Sequence, residues 1–127
     1  MEIVRASYDA FARGDFQASL EAYDPDCEWD DTQLRPDGRL LRGRDELSDQ
    51  IRRWRGTFSE YEWATERLLD AGGETVIIYT ERGRGKGSGV IVEDRRGNVV
   101  TVQGGKIVRT VVYPTVGDAL EAAGLSE

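Results

Sequence analysis

Asp31 closes a short alternating run, Cys27-Glu28-Trp29-Asp30-Asp31, and is the residue of this chain best suited to chemistry. Successive side chains of a strand point to opposite faces, so Cys27, Trp29 and Asp31 share one face. Trp29 is too large and apolar to prefer water, and the face that buries it aims Asp31 toward a cavity. A carboxylate beside an indole in a partly dry pocket is a stronger base than one in water, suited to taking a proton near neutrality. The plainer role for Asp31 is to end the strand and cap the loop that follows. Asp30 faces the other way and is expected to be solvated or paired with a nearby arginine.

The chain has no histidine, which removes imidazole catalysis, Cys/His zinc patterns and a Ser-His-Asp triad together. Proton transfer then rests on carboxylates, tyrosines, lysines or bound water, and neither a metal nor another cofactor is expected. Cys27 is the single cysteine, so no internal disulfide forms. A net charge of -7 argues against nucleic acid or an anionic membrane as partner, since both demand a positive surface. No run approaches the roughly 18 apolar residues of a membrane span. Met1 leads straight into the helical Glu2-Ile3-Val4-Arg5, which leaves no signal peptide and makes the cytoplasm the expected compartment.

The elements that must position Asp31 follow from periodicity. Ile3, Val4, Tyr8, Phe11 and Ala12 make one apolar helix stripe, with Gly14 as its stop and Asp15 as the N-cap of a short second helix that ends before Pro25. A strand over Cys27–Asp31 leads into a loop from Thr32 to Gly43, and Arg44 to Thr57 reads as a third helix with Leu47, Ile51, Trp54 and Phe58 on one face. Strands are expected at Tyr61–Leu69, Thr75–Glu81, Val90–Glu93, Val99–Val102 and Lys106–Tyr113. Turns are expected at 70–73, at 95–98 and at Gly104-Gly105, and a terminal helix runs from Asp118 to Ala123, stopped by Gly124. Helices first and strands consecutive imply a single α+β domain over residues 1–127, with helices covering one face of a mainly antiparallel sheet. A sheet curled around a helical layer encloses a cone-shaped cavity in which a small ligand fits.

Four stretches in order resemble the SnoaL-like family of the nuclear transport factor 2-like superfamily. They are Tyr8-Asp9-Ala10-Phe11-Ala12-Arg13-Gly14-Asp15-Phe16, Asp24-Pro25-Asp26-Cys27-Glu28-Trp29, Leu41-Arg42-Gly43-Arg44-Asp45-Glu46-Leu47, and Gly105-Lys106-Ile107-Val108-Arg109 followed by 118–125. The resemblance covers essentially the whole chain. It implies a cone-shaped α+β barrel, helices packed on a strongly curved, mixed, mainly antiparallel sheet, and a homodimer through the outer sheet face. Members include polyketide cyclases, ketosteroid isomerases, epoxide hydrolases and dehydratases, and a fold shared by so many chemistries assigns none.

Aligned on the Gly14-Asp15-Phe16 turn, Asp31 falls where the ketosteroid isomerase relatives carry their general base, the aspartate that takes the substrate proton while an oxyanion hole holds the enolate. Where those relatives carry their oxyanion-hole tyrosine, Ser7 stands here, with Tyr8 one position off. A one-residue shift rotates a helical side chain by about 100 degrees, so Tyr8 is not expected to substitute for it. Their protonated aspartate is matched by Asn98 or Val99, and Asn98 donates a hydrogen bond more weakly. With those two partners missing, a steroid isomerase of the known kind is not expected. Many SnoaL-like relatives have histidine at or next to the position of Asp30, so a histidine-dependent cyclase mechanism is not expected either.

Trp54, Trp63, Tyr79 and Phe58 sit on apolar faces at helix or strand spacing and read as core; of the aromatics, Trp29 and Trp54 are expected to line the cavity. Arg82 has the length to reach a carboxylate in the pocket, but is placed at the solvated edge. Glycine alternates with Arg82, Arg84, Lys86 and Ser88 through Gly89, but the strand that follows excludes a phosphate loop, which needs a helix N-terminus there. One face without side chains instead permits tight curvature or the close approach of another backbone. The combined expectation is a pocket for a small apolar molecule, with Asp31 as base and Trp29, Tyr8, Trp54 and Asn98 as ligand-binding residues, performing isomerisation, cyclisation or dehydration. The alternative is a non-catalytic binding or dimerising domain. Val111, Val92 and Ile77, or their neighbours, are expected to leave an uncovered sheet face for the dimer.

Overall fold

The computed structural model describes residues 1–125. Three helices come early: α1 (Glu2–Ala12), α2 (Phe16–Glu21) and α3 (Gly43–Gly56). Gly14 adopts a left-handed φ of 84° between the first two, and the Asp15 carboxylate accepts from the Ala18 amide at 3.1 Å, capping α2. Ser7 on α1 donates to the Ser19 carbonyl at 2.9 Å, pinning the hairpin where both side chains are buried. In α3, Asp45 and Glu46 occupy the first turn and Arg53 and Arg55 the last, both favourable to the helix dipole.

Six strands form one open sheet: β1 (Tyr23–Asp30), β2 (Leu40–Arg42), β3 (Phe58–Ala71), β4 (Glu74–Gly85), β5 (Ile91–Gln103) and β6 (Lys106–Tyr113). Their order is β2-β1-β6-β5-β4-β3, with β2 and β3 at the edges, so the barrel is not closed. Only β1 and β6 pair in parallel; the other neighbours are antiparallel. A last helix, α4 (Val116–Ala122), starts at Thr115, whose hydroxyl accepts from the Asp118 amide at 3.0 Å.

Strand alternation divides the interior in two. Ile77, Tyr79, Trp63, Val100 and Ile107 face the helical layer with Val4, Tyr8, Tyr23 and Leu47, while Val76, Ile78 and Val99 face away and are covered by Val116, Ala119 and Leu120 of α4. Ile77 is therefore fully buried against the helices and Val111 is only 8% exposed. Neither leaves the uncovered face expected of them; only Val92 is half-buried. Beyond α4 the outer face instead carries cross-strand ion pairs, Glu60–Arg84, Arg82–Glu93 and Glu66–Arg95. Arg82 is at that solvated surface, as its sequence position implied.

Three departures from the sequence reading have physical reasons. The turn expected at 95–98 is absent, because Gly97 lies mid-strand where a Cβ would come 2.6 Å from the Ala119 Cβ. That glycine is the contact point of α4, not a turn. The strand pairing Trp29 starts earlier than expected, at Tyr23, and accommodates Pro25 at a register shift against β6. Finally, the loop after β1 contains the three-residue edge strand β2, too short to show a period. In the glycine-rich stretch, a Cβ at Gly83 would meet the Phe58 ring at 2.5 Å, so the bare face admits an aromatic ring.

Candidate functional site

Between the helical layer and the sheet lies a cavity of about 300 Å³. All five residues expected at the site, Asp31, Trp29, Tyr8, Trp54 and Asn98, are in its wall, together with Trp63 and Tyr79. The chain's three tryptophans thus all face one space. Mainly aromatic walls with a few polar groups are the usual make-up of a small-molecule pocket.

Asp31 follows the last residue of β1 and is buried. Its Oδ1 accepts from the Arg39 amide at 2.5 Å and its Oδ2 from Arg35 at 3.1 Å, while its backbone pairs with Arg39 and Leu34. The carboxylate therefore caps the 32–39 loop and faces the cavity at once. Arg35 is 44% exposed, so this ion pair contributes at most about 1 kcal/mol and can open. Asp30 points away, to Thr32 and Arg109, as expected.

The one-residue offset does not remove Tyr8 from the cavity. Ser7 is the residue turned away, toward α2, and the Tyr8 hydroxyl reaches Asn98 across the pocket. Asn98 Nδ2 donates to the Tyr8 oxygen at 3.0 Å, and the Tyr79 hydroxyl donates to Asn98 Oδ1 at 3.0 Å. Trp63 is stacked between the two tyrosines, with ring centroids 5.0 Å from Tyr8 and 4.9 Å from Tyr79. Indole and amide thus hold both phenols from two sides, and little rearrangement is open to them. Burial pushes the Tyr8 phenol above its ordinary pKa of 10.0, opposed by the Asn98 bond and by the hydroxyls of Tyr23 and Thr110 beside it. Burial raises Tyr23 and Tyr79 as well. The three phenols stay neutral at working pH, as donors rather than bases. The Tyr8 oxygen accepts from Asn98, so its own proton can go to the neighbouring Tyr23 or Thr110 hydroxyl or to an oxygen placed in the cavity.

A second buried carboxylate went unread in the sequence. Glu81 on β4 accepts from the Tyr61 hydroxyl on one oxygen and from Arg96 on the other, each at 2.5 Å, and Arg96 also pairs with Asp94 at 2.9 Å. Tyr61, Glu81 and Arg96 all line the cavity. Strand alternation with Ile77 and Tyr79 was the available signal for Glu81; Arg96 was hidden by the turn assigned around it. Among the described residues no three His, Cys, Asp or Glu side chains cluster to hold a metal ion, and no helix is long and apolar enough to cross a membrane.

An open α+β sheet wrapped on helices around an aromatic cavity defines a nuclear transport factor 2-like protein. The SnoaL-like domain model matches residues 4–110, and the chain belongs to that family. Its fold is related to those of polyketide cyclases and ketosteroid isomerases. A nuclear transport factor 2-like protein from Burkholderia thailandensis is 27% identical, with a TM-score of 0.81 over 88% of this chain and 87% of that one. One of unknown function from Burkholderia pseudomallei is 24% identical, with a TM-score of 0.78 over 95% and 94%. A protein with a ketosteroid isomerase-like fold from Catenulispora acidiphila, in complex with trimethylamine, is 20% identical, with a TM-score of 0.77 over 98% and 94%. No curated protein matches the chain in sequence.

Proposed function

We propose that the cavity binds a small, mainly apolar carbonyl compound and moves a proton on it, with Asp31 as base and Tyr8 as the donor to the carbonyl oxygen. The observation that carries this reading is the Tyr79–Asn98–Tyr8 chain of donors, which ends on a phenol whose proton is not used within the chain, in an aromatic cavity that also holds a carboxylate. Asp31 takes the proton from the carbon beside the carbonyl, and the electron pair moves onto the oxygen, where the Tyr8 O–H receives it. Return of the proton at another carbon gives isomerisation. Attack of the carbanion on a second carbonyl, with Asp31 returning the proton to the new alkoxide, gives cyclisation, and departure of a hydroxyl from the next carbon, protonated by Asp31 to leave as water, gives dehydration. Charge that develops next to a fixed donor in a dry site is stabilised far more than in water.

The probe is α-tetralone in deuterium oxide, whose α-hydrogens exchange measurably by NMR. The protein should accelerate that exchange and Asp31→Asn should remove the acceleration. A variant as active as the parent chain would refute the assignment of the base.

A second reading, binding without catalysis, is favoured by one feature: both oxygens of Asp31 already hold a donor. It predicts tetralone binding with no exchange in either protein.

A homodimer through the outer sheet face belongs to the same proposal, its surface being the Glu60–Arg84, Arg82–Glu93 and Glu66–Arg95 ladder rather than an apolar patch. Sedimentation at micromolar concentration should give twice 14.2 kDa, and a single-chain mass would sink it. The cytoplasm is the compartment proposed.

A further inference from the structure

Two donors hold the Asp31 carboxylate, and only one of them is free to leave. The Arg39 amide donates to Oδ1, and the Arg39 carbonyl accepts from the Asp31 amide at 3.1 Å, so the two ends of the 32–39 loop are tied at that pair. Gly38 beside it has no room for a Cβ against the Asp31 carbonyl, so the loop is folded tightly onto the strand end. That bond opens only if the loop comes apart. Arg35 holds Oδ2 through a single side-chain nitrogen at 3.1 Å and is 44% exposed, and an ion pair so close to water is weak. Oδ2 is the oxygen that can be uncovered, and Arg35 is what covers it.

Arg35 also stands where a ligand enters. Among the described residues that line the cavity it alone is exposed, while Asp31 behind it is buried. One of its N–H groups goes to Asp31, and among the described residues no acceptor takes the rest. Arg96, the other guanidinium in the wall, is in the opposite condition: it is 16% exposed and bonded to both Glu81 and Asp94. The cavity therefore has one cation with donors to spare, and it lies against the proposed base.

What a ligand must carry follows from what Arg35 loses. A neutral ketone that reaches Oδ2 pushes the guanidinium into water and returns nothing for it. A ligand with a carboxylate near its acidic carbon gives Arg35 a new partner as it takes the old one away. The planar fork of a guanidinium suits a carboxylate, which it binds through two parallel bonds. The ion pair is then exchanged instead of broken, and Oδ2 is left facing the C–H that it deprotonates.

We infer that Arg35 is an anion-capturing latch over Asp31, so that the ligand is a small, mainly apolar carbonyl compound with a carboxylate near the carbon that loses its proton. This rests on the proton-transfer reading for the role of Asp31, and it deepens that reading by naming the second group of the substrate. Arg35 is a specificity-determining residue: it binds the anion of the ligand and takes no proton. It also resolves the double occupancy of Asp31, since the ligand itself removes one of the two donors.

Equilibrium binding tests the latch without turnover. The probes are α-tetralone-3-carboxylate and α-tetralone-4-carboxylate, which carry the anion on the first and second ring carbons beyond the exchanging one. Each is set against its carboxamide, which has the same shape and no charge, and binding is followed by tryptophan quenching and calorimetry. The net charge of -7 does not draw anions, so a preference for the carboxylate reports a local cation. In the parent at least one carboxylate should bind about tenfold tighter than its amide, the size of a hydrogen bond to a charged partner. In Arg35→Gln, checked for folding by circular dichroism, that ratio should fall to within about threefold. Equal affinity for carboxylate and amide in both isomers, a ratio unchanged in Arg35→Gln, or no binding of any probe at millimolar concentration overturns the inference. Exchange in deuterium oxide separates the latch from the base. Arg35→Gln should exchange plain α-tetralone faster than the parent, because Oδ2 is uncovered, and the advantage of the carboxylate probe should vanish. Equal slowing of both probes would mean that Arg35 serves only the loop, and overturns the inference. Carboxylate preference with no exchange of any probe in the parent sinks the base and leaves the latch; exchange without that preference sinks the latch and leaves the base.

Discussion

Asp31 is held by two hydrogen-bond donors and still faces the cavity, so its loop-capping and its proposed basic role are not alternatives. The Arg39 amide can bond an asparagine oxygen as well as a carboxylate. Arg35 loses only a half-exposed ion pair. Asp31→Asn should therefore stay folded, with a melting temperature within a few degrees of the parent, and what it loses is basicity. Tyr8 differs in kind. Its ring is stacked on Trp63 and its oxygen is bonded by Asn98, so Tyr8→Phe keeps the stack and removes the hydroxyl, which is both the donor to the carbonyl and the acceptor of the Asn98 bond. By the size of comparable single-donor losses, tetralone exchange should drop about 100-fold in that variant. A drop under threefold would mean that another group polarises the carbonyl.

At the level of elements, α4 reports on how the sheet is covered. It lies where β5 has no side chain, at Gly97, and Ala119 fills that space. Gly97→Ala should cost about 1–3 kcal/mol of stability, read as a lower denaturation midpoint with an unchanged slope. A neutral result would show that α4 is free to move off the sheet. The same glycine explains what the sequence concealed. Gly14-Asp15, Gly104-Gly105 and the apolar stripe of α1 are local signals, and the structure has each element where they place it. Gly97 is set by a residue 22 positions away (Ala119 to Gly97), and in one dimension it reads as a turn. The error hid Arg96, and with it half of the Glu81 pair. The five expected cavity residues were legible because each sits on an element whose period was clear. Glu81 was passed over because a charged residue near a strand end ordinarily faces water.

For the whole molecule, the aromatic cavity makes a statement about pH. Tyr8, Tyr23, Tyr61 and Tyr79 all have phenols raised above 10.0, in each case chiefly by burial. Below pH 10 folded and unfolded chains both carry them neutral, and the stability they lend is fully present. Above it the unfolded chain releases its protons first, so stability falls as pH rises toward the folded values. The denaturation midpoint, with respect to these groups, should hold steady from pH 8 to pH 9.5 and decline beyond about pH 10. Tyrosine absorbance should then rise together with loss of structure. Gradual ionisation of all tyrosines in a still-folded protein would contradict the buried network on which the site depends.

The central claim is that Asp31 and the Tyr8 hydroxyl act on the two sides of one carbonyl group. Its most direct measurement is the α-hydrogen exchange rate of α-tetralone with the parent protein, Asp31→Asn and Tyr8→Phe under one set of conditions. The account predicts a rate above buffer for the parent, the buffer rate for Asp31→Asn, and an intermediate rate for Tyr8→Phe. Exchange in Asp31→Asn equal to that of the parent would contradict it.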